Sequence, residues 1–193
     1  VTWTNNFEVL SDDCGMTGSS DVVFTATDDC GNATSTAATF TVVDTSAPAV
    51  ADAEDSTVEC DGAGNTADLE AWLNNNGGAS ATDACGMVTW SNNFEALNQA
   101  CGESASAVVV FTATDACGNA SSTEASFFIQ DTQPPVIDAS IEVFVACESY
   151  SPDLAYEASF SDECSADVEV SMNDIPFTGG CLNVNQSWFI RTY

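Results

Sequence analysis

Residues 110–119 read VFTATDACGN, and residues 23–32 read VFTATDDCGN. Each stretch starts with a short run rich in Val, Phe and Thr, which is typical of a β-strand, and ends in polar turn residues. Gly118 and Asn119 tolerate the left-handed backbone that tight turns require. The stretch therefore predicts a strand, a turn and a returning strand, which together form a hairpin.

The hairpin is part of a longer internal repeat. At an offset of 87 positions, residues 1–48 align with residues 88–135 without a gap. A weaker third copy follows, in which SDEC at 161–164 resembles TDAC at 82–85. Repetition at one fixed spacing is the signature of an array of structural modules.

The repeat defines three predicted domains. Residues 1–46 are the C-terminal half of one module, residues 47–133 are a complete module, and residues 134–193 are the N-terminal part of a third. We interpret the sequence as a segment of a longer array. Completion of an unpaired strand edge by a neighbouring copy is an alternative explanation of the incomplete modules.

The complete module is expected to be all-β. Its short Val-, Thr- and Phe-rich segments are separated by Gly, Asn, Asp and Pro, which favours a β-sandwich. The predicted strands are 56–59, 88–94, 107–114 and 125–130.

One helix is expected in the module, covering one side of the sandwich. Leu69, Trp72 and Leu73 share a helical face, Thr66 is a candidate N-cap, and Gly77 follows the end. Among the strand residues, Trp3 and Trp90 occupy one repeat position and are expected in the core.

The charge of the chain limits its partners. It has 30 acidic residues against one basic residue and no His, for a net charge of −29. This charge excludes nucleic acid and disfavours an anionic membrane surface. With no His and no Lys, acid–base or nucleophilic catalysis has few groups to use, so we expect that the protein is not an enzyme.

The cysteines indicate an oxidising compartment. The chain has nine, and the complete module holds four of them, with no CxxC motif and no His for a zinc site. Recurring cysteines of this kind are typical of disulfides in an extracellular protein.

The pattern of these motifs resembles the hyalin-repeat (HYR) family and related immunoglobulin-like modules. The residues that carry it are Asp44-Thr45, Pro48, 82–86, 88–90 and 110–119. The third copy departs from the pattern. The resemblance implies tandem immunoglobulin-like modules of giant surface adhesins of Bacteroidota, some used in gliding and many exported by the type IX route. It also implies an extracellular, cell-surface location.

The resemblance implies a disulfide pairing as well. In an immunoglobulin-like sandwich, Cys85 and Cys117 lie in loops at one end, whereas Cys60 and Cys101 reach the other end. The implied disulfides are Cys60–Cys101, Cys85–Cys117 and, by repetition, Cys147–Cys181. Partners outside the sequence are then expected for Cys14, Cys30 and Cys164. Local pairing of Cys60 with Cys85 and of Cys101 with Cys117 remains the alternative.

The same geometry suggests a calcium site between modules. Aspartates at the end of one module face aspartates in the loops of the next, and no base is near to neutralise them. Oxygen ligands of this kind suit Ca²⁺. The predicted ligands are Asp44, Asp83, Asp115, Asn119, Asp131 and Asp162. The alternative is that Asp28 and Asp115 are turn residues that accept backbone hydrogen bonds. A second, weaker candidate is the group Asp61, Asn65 and Asp68.

The sequence is compatible with two functions. The first is a rigid structural stalk of a secreted adhesin or surface filament, whose partners are neighbouring modules or other copies in a filament. The second is a module that binds glycans or a cell surface. Loops 11–17 and 98–105 differ between the copies, as a binding module would require.

Overall fold

The computed structural model describes residues 1–137, 160–165, 169–173 and 187–191. These residues form mostly β-strands and one α-helix, which confirms the all-β prediction. The first half of the described chain holds β1 (Thr2–Asn5), β2 (Gly18–Thr27), β3 (Ala33–Val42), β4 (Ala49–Ala51), β5 (Ser56–Glu59), α1 (Thr66–Asn74) and β6 (Ser80–Thr82). The second half holds β7 (Thr89–Asn92), β8 (Asn98–Gln99), β9 (Ala105–Thr114), β10 (Ala120–Gln130), β11 (Val136–Ile137), β12 (Phe160–Ser161), β13 (Glu169–Asn173) and β14 (Ser187–Arg191).

The predicted sequence repeat is also a structural repeat. Strands β1, β2 and β3 form one antiparallel sheet, in which Trp3 pairs with Ala26. The corresponding strands β7, β9 and β10 lie in a sheet of order β5-β10-β9-β7, with β8 also on β9, and there Trp90 pairs with Ala113. The remaining pairs are β4-β6, β11-β12 and β13-β14. The strand pairs β1–β2 and β7–β9 thus have the same register at equivalent positions of the repeat.

The chain divides into two compact units. The first unit comprises Val1–Ser56, Glu70–Glu95 and Val108–Ser126, and the second comprises Thr57–Leu69, Ala96–Ala107 and Phe127–Tyr193. These units cut across the predicted domains 1–46, 47–133 and 134–193, whose boundaries stay a prediction.

The core follows the two-residue period of a strand. Along β9 and β10 one side chain in two is buried, and Val109, Phe111 and Phe127 are fully so. The ring of Trp72 meets that of Phe111 edge-on, with centroids 5.2 Å apart. Gly77 lies beside Phe111, where a Cβ would come within 3.0 Å of the ring.

The helix lies where it was predicted. It begins at Thr66 and buries Leu69, and a 3₁₀ turn at Asn76–Gly78 follows it. The amide of Leu69 donates to the carbonyl of Asn65, which places Asn65 rather than Thr66 at the N-cap position. Trp72 of the helix packs against Phe111 of β9.

The first copy of the hairpin is exposed where the second is buried. Phe24 is 37% exposed and its repeat equivalent Phe111 is 0% exposed; Phe40 is 58% exposed and Phe127 is 0%. The prediction that Trp3 lies in the core is therefore wrong, since it is 68% exposed. The physical reason is that Trp72 of α1 packs on the second copy, whereas no helix of the described residues covers the first.

Candidate functional site: two repeated joints

A tight turn at residues 13–17 is the first part of the candidate site. The amide of Thr17 donates to the carbonyl of Cys14 over 3.1 Å, which closes the turn. The Thr17 hydroxyl donates to that carbonyl over 2.6 Å and accepts from the Cys14 amide over 3.1 Å. Thr17 is buried, so these bonds hold the turn in one conformation.

This turn sits directly on the loop 83–86, and we name the contact the first joint. The amide of Met16 donates to the carbonyl of Cys85 over 2.7 Å. Gly15 has φ +56°, and a Cβ at this position would overlap the same carbonyl oxygen. Only glycine allows both the left-handed backbone and this close approach.

The first joint is closed by a disulfide between Cys14 and Cys117, whose Cα atoms lie 5.1 Å apart. Cys117 belongs to the turn 115–119 of the repeated hairpin. All these residues lie in the first compact unit. The disulfide therefore joins the first copy of the repeat to the second.

The second compact unit contains the same contact, which we name the second joint. Its turn is 100–104, where the amide of Ser104 donates to the carbonyl of Cys101 over 3.0 Å. The amide of Glu103 donates to the carbonyl of Cys164 over 2.8 Å. Gly102 has φ +56°, and a Cβ here would overlap the carbonyl oxygen of Cys164. Each of these turn residues is the repeat equivalent of one in the first joint, 87 positions on.

The disulfide of the second joint uses a different pair of positions. Cys164 is bonded to Cys60, and their Cα atoms lie 5.9 Å apart. Cys101, the equivalent of Cys14, is a free and exposed thiol, and Cys85, the equivalent of Cys164, is a free and half-buried one.

The predicted pairing was therefore wrong. The structure contains neither Cys60–Cys101 nor Cys85–Cys117, and neither of the local alternatives. Cys14 and Cys164, for which outside partners were predicted, are both bonded within the chain. The physical reason is that each joint brings cysteines of successive copies together, whereas the prediction paired cysteines within one copy. Cys30 is free, and Cys147–Cys181 lies outside the described residues.

Asp115 organises the turn that carries Cys117. Its Oδ1 accepts from the amides of Cys117 and Asn119 over 2.8 and 2.9 Å, and its Oδ2 accepts from the Asn119 side chain over 2.9 Å. Asp28 makes the same three bonds in the first copy, with Cys30 and Asn32. The turn role that was considered for these aspartates is thus present in both copies.

These hydrogen bonds shift the titration of both carboxyls. At Asp28 the bond from the Asn32 side chain lowers the pKa first, and the backbone amides of the turn add to the effect. At Asp115 burial raises the pKa, but the bonds from Asn119, Cys117 and Gly118 together outweigh it and leave the pKa lowered.

We expect the turns to lose stability in acid. Because the folded pKa of each carboxyl lies below its ordinary value of 3.8, the unfolded chain binds protons more readily. The contribution to stability is present above about pH 4 and is lost as the pH falls through the folded pKa. In melts from pH 7 to pH 2, Asp115→Asn should melt lower than the unmodified chain at neutral pH, and the difference should shrink in acid.

The exposed Asp12 supplies the control for this measurement. Asp12→Asn also removes one negative charge, so it reproduces any gain from weaker repulsion in a chain of net charge −29. If Asp12→Asn and Asp115→Asn melt alike at neutral pH, the carboxylate of Asp115 does not stabilise the turn.

A small acidic cluster lies beside the first joint. One carboxylate oxygen each of Asp44 and Asp83 and the sulfur of Cys85 lie within 4.8 Å of one another. The Cys85 amide donates to Asp83 Oδ1 over 2.8 Å. Burial and then the charges of Asp44, Asp83 and Asp115 raise the pKa of the Cys85 thiol. Asp44 and Asp83, two of the predicted ligands, thus lie close together.

The other predicted calcium ligands fit the ion less well. Both oxygens of Asp115 already accept hydrogen bonds, and Asn119 turns its amide nitrogen, not its oxygen, to the Asp44 carbonyl over 3.4 Å. A thiol is also a poor ligand for a hard cation. Only two carboxylates of this cluster, those of Asp44 and Asp83, suit Ca²⁺.

At the second joint the acidic residues meet through Ser165. Its hydroxyl donates to Asp131 Oδ2 over 3.4 Å, and its amide donates to Asp162 Oδ1 over 2.8 Å. In the part of the chain that the structure describes, no group of three metal-ligating residues forms here.

The weaker metal candidate is held together by its own hydrogen bonds. The side-chain amide of Asn65 donates to Asp68 Oδ2 over 3.1 Å, and the backbone amide of Asn65 donates to Asp61 Oδ1 over 2.9 Å. The Asn65 oxygen accepts from the Asp61 amide over 3.2 Å. The group therefore serves the start of the helix.

Sequence reasoning missed Gly15 and Gly102 as joint residues. A signal was present, because Cys-Gly recurs at 14–15 and 101–102 inside loops that otherwise differ. A Cys-Gly pair kept between variable neighbours indicates a backbone position that a side chain would disturb.

In comparisons with known proteins, no family model matches the chain, and no curated protein is similar to it in sequence. None of the helices in the described residues has the length and apolarity needed to span a bilayer. The two disulfides indicate a compartment outside the cytoplasm.

Proposed function

We propose that the protein is a structural repeat segment of an extracellular adhesin or surface filament, in which disulfide-closed joints fasten each module to the next. The observation that carries the proposal is the repetition of one joint. A cysteine–glycine turn seats on the next loop in each unit, with the same backbone bond and the same close glycine approach. An enzyme gains nothing from such duplication, so we assign no catalytic role.

The immunoglobulin-like sandwich and the HYR relationship are part of this proposal. Three features support them: the antiparallel strand pair that recurs in the same register, the alternating burial of β9 and β10, and the disulfides. Modules of this kind are small, so covalent closure of their contacts adds stability that a limited core does not supply.

The glycan-binding alternative depended on the variable loops 11–17 and 98–105. Those loops contain the two joint turns, and Met16 and Glu103 donate hydrogen bonds to neighbouring loops. A loop that is seated on another loop has less surface for an external ligand. The position of these loops favours the structural function over the binding function.

Calcium remains a prediction that now depends on Asp44 and Asp83. Extracellular calcium sites bind with dissociation constants of about 10⁻⁴–10⁻³ M, so about 10 mM Ca²⁺ should stabilise the chain by about 1–3 kcal/mol. The measurement is a thermal melt in Ca²⁺ and in excess chelator, with Mg²⁺ as the ionic control. Asp44→Asn with Asp83→Asn should abolish the shift, and an unchanged shift in that variant contradicts the site.

Single-molecule pulling tests the structural function itself. Cys14 and Cys117 are 103 residues apart and Cys60 and Cys164 are 104 apart, and the two closed loops overlap in sequence. Together they should withhold about 350 Å of extension, at about 3.4 Å per residue. Reduction should release this length and lower the unfolding force.

The control for pulling is Cys30→Ser, which removes a free thiol and leaves both disulfides intact. Its extension in oxidising buffer should match that of the unmodified chain. An oxidised chain that extends as far as the reduced one, or unfolds at the same force, contradicts a tension-bearing segment.

A further inference from the structure

The two joints use their cysteines in a complementary way. Each joint has a turn cysteine, Cys14 or Cys101, and a loop cysteine, Cys85 or Cys164. In the first joint the turn cysteine is bonded and the loop cysteine is free. In the second joint the loop cysteine is bonded and the turn cysteine is free. Each kind of position thus forms a disulfide in one joint and lacks one in the other.

The bonded partners show what each kind of position accepts. The turn cysteine Cys14 takes Cys117, from the closing turn of the hairpin. The loop cysteine Cys164 takes Cys60, and a Cβ on the nearby Gly62 would lie 2.7 Å from the Glu163 carbonyl oxygen. The two disulfides thus use different positions of a joint, one the sulfur of a turn cysteine and the other the sulfur of a loop cysteine.

The chain carries a free thiol that matches the free turn cysteine. Cys30 is the repeat equivalent of Cys117, and both Cys30 and Cys101 are exposed. The turn around Cys30 is already built as the turn around Cys117 is, with Asp28 accepting from the amides of Cys30 and Asn32. The turn around Cys101 likewise has the hydrogen bond that closes the turn of Cys14.

We propose that Cys101 of one molecule and Cys30 of another molecule of this chain form a disulfide that reproduces the Cys14–Cys117 bond. The proposal rests on the proposed function and names the partner of its joints. The interaction surface is the turn 100–104 of one molecule, and the turn 28–32 of another molecule binds to it. Repeated from molecule to molecule, this bond yields a covalent head-to-tail polymer.

The same rule assigns Cys85 a different partner. As a loop cysteine it accepts a thiol of the Cys60 kind, and Cys60 itself is already bonded to Cys164. Cys85 is half-buried, whereas Cys30 and Cys101 are exposed, so an external disulfide reaches the Cys85 thiol less easily. Cys85 is therefore a negative control inside the molecule.

The reaction requires an oxidant, for which a glutathione disulfide suffices. The thiolate of Cys30 attacks glutathione disulfide and releases one glutathione thiol. The thiolate of Cys101 then attacks the mixed disulfide and releases the second. Two cysteine thiols are oxidised to one disulfide, and one glutathione disulfide is reduced to two thiols.

The experiment is oxidation of the purified full chain in a glutathione redox buffer, followed by non-reducing gel electrophoresis and mass-spectrometric mapping of cross-linked peptides. About 0.5 M NaCl should be present, because two chains of net charge −29 repel each other and salt shortens the Debye length to about 4–5 Å. Mixing ¹⁵N-labelled and unlabelled chains distinguishes bonds between molecules from bonds within one.

We expect Cys30–Cys101 bonds between chains to exceed Cys30–Cys85 and Cys30–Cys30 bonds by about tenfold or more, because docking raises the local thiol concentration. Cys30→Ser and Cys101→Ser should each remove this bond, and Cys85→Ser should not. These substitutions leave both native disulfides in place, so loss of folding is a small risk, and circular dichroism checks it.

Two results would overturn the proposal: chains that stay monomeric, and cross-links distributed evenly over Cys30, Cys85 and Cys101, which are the free thiols of the described residues. Either leaves the pulling result intact, because that measurement depends on Cys14–Cys117 and Cys60–Cys164, which are bonds within one molecule. Failure of the polymer and failure of the structural function are thus separate outcomes.

Discussion

Replacement of Cys14 by serine is expected to lower the free energy of unfolding by about 3–5 kcal/mol. Cys14 and Cys117 close a loop of 103 residues, and a loop of about this length loses about 4.7 kcal/mol of unfolded-state entropy in the chain-entropy model. The substitution also removes the covalent closure of the first joint. The measurement is urea unfolding in oxidising buffer, followed by circular dichroism.

The control is Cys30→Ser, which removes an exposed free thiol from the turn 28–32, the repeat equivalent of the turn that carries Cys117. It should change stability by less than about 0.5 kcal/mol, as expected for a surface substitution. In reducing buffer the unmodified chain also lacks the disulfide, so its free energy of unfolding should lie close to that of Cys14→Ser. If Cys14→Ser and Cys30→Ser lower the free energy of unfolding equally, the disulfide is not the cause of the lost stability. The same conclusion follows if Cys14→Ser remains less stable than the unmodified chain after reduction.

Substitution of Gly15 by alanine is expected to cost about 2–5 kcal/mol and to open the first joint. An L-residue at φ +56° costs about 1–2 kcal/mol. The added Cβ also overlaps the Cys85 carbonyl oxygen, and displacement of a packed backbone segment costs about 1–3 kcal/mol more. The readout is urea unfolding, together with hydrogen exchange of the Met16 amide, which donates to that carbonyl.

Gly31 provides a matched control for Gly15. It has φ +88°, and nothing lies within 4 Å of a Cβ added there. Gly31→Ala therefore carries the backbone strain without the overlap, and should leave exchange at Met16 unchanged. If Gly31→Ala destabilises the chain as much as Gly15→Ala does, the joint contact contributes nothing of its own. Gly102→Ala should repeat the effect of Gly15→Ala in the second unit.

The candidate site was only partly predictable from the sequence. The convergence of Asp44 and Asp83 followed from placing the ends of one copy against the loops of the next. The sequence did not show that both carboxylate oxygens of Asp115 accept hydrogen bonds, because a carboxylate that can bind a cation and one that caps a turn have the same residue pattern. The hydrogen bonds from Cys117 and Asn119 decide between them, and these depend on the folded turn.

What the sequence alone determined are the features that depend on nearby residues. The repeated hairpin, the turn at Asp115 and the helix from Thr66 were all readable, since strand alternation, turn chemistry and helical periodicity act within about ten residues. Tertiary structure alone decided which cysteines are bonded and that Trp3 is exposed. Cys14 is bonded to Cys117, 103 positions away, because the turn around Gly15 contacts the loop 83–86 of the second repeat. Such a partner is selected by the contact between distant segments, which no local pattern encodes.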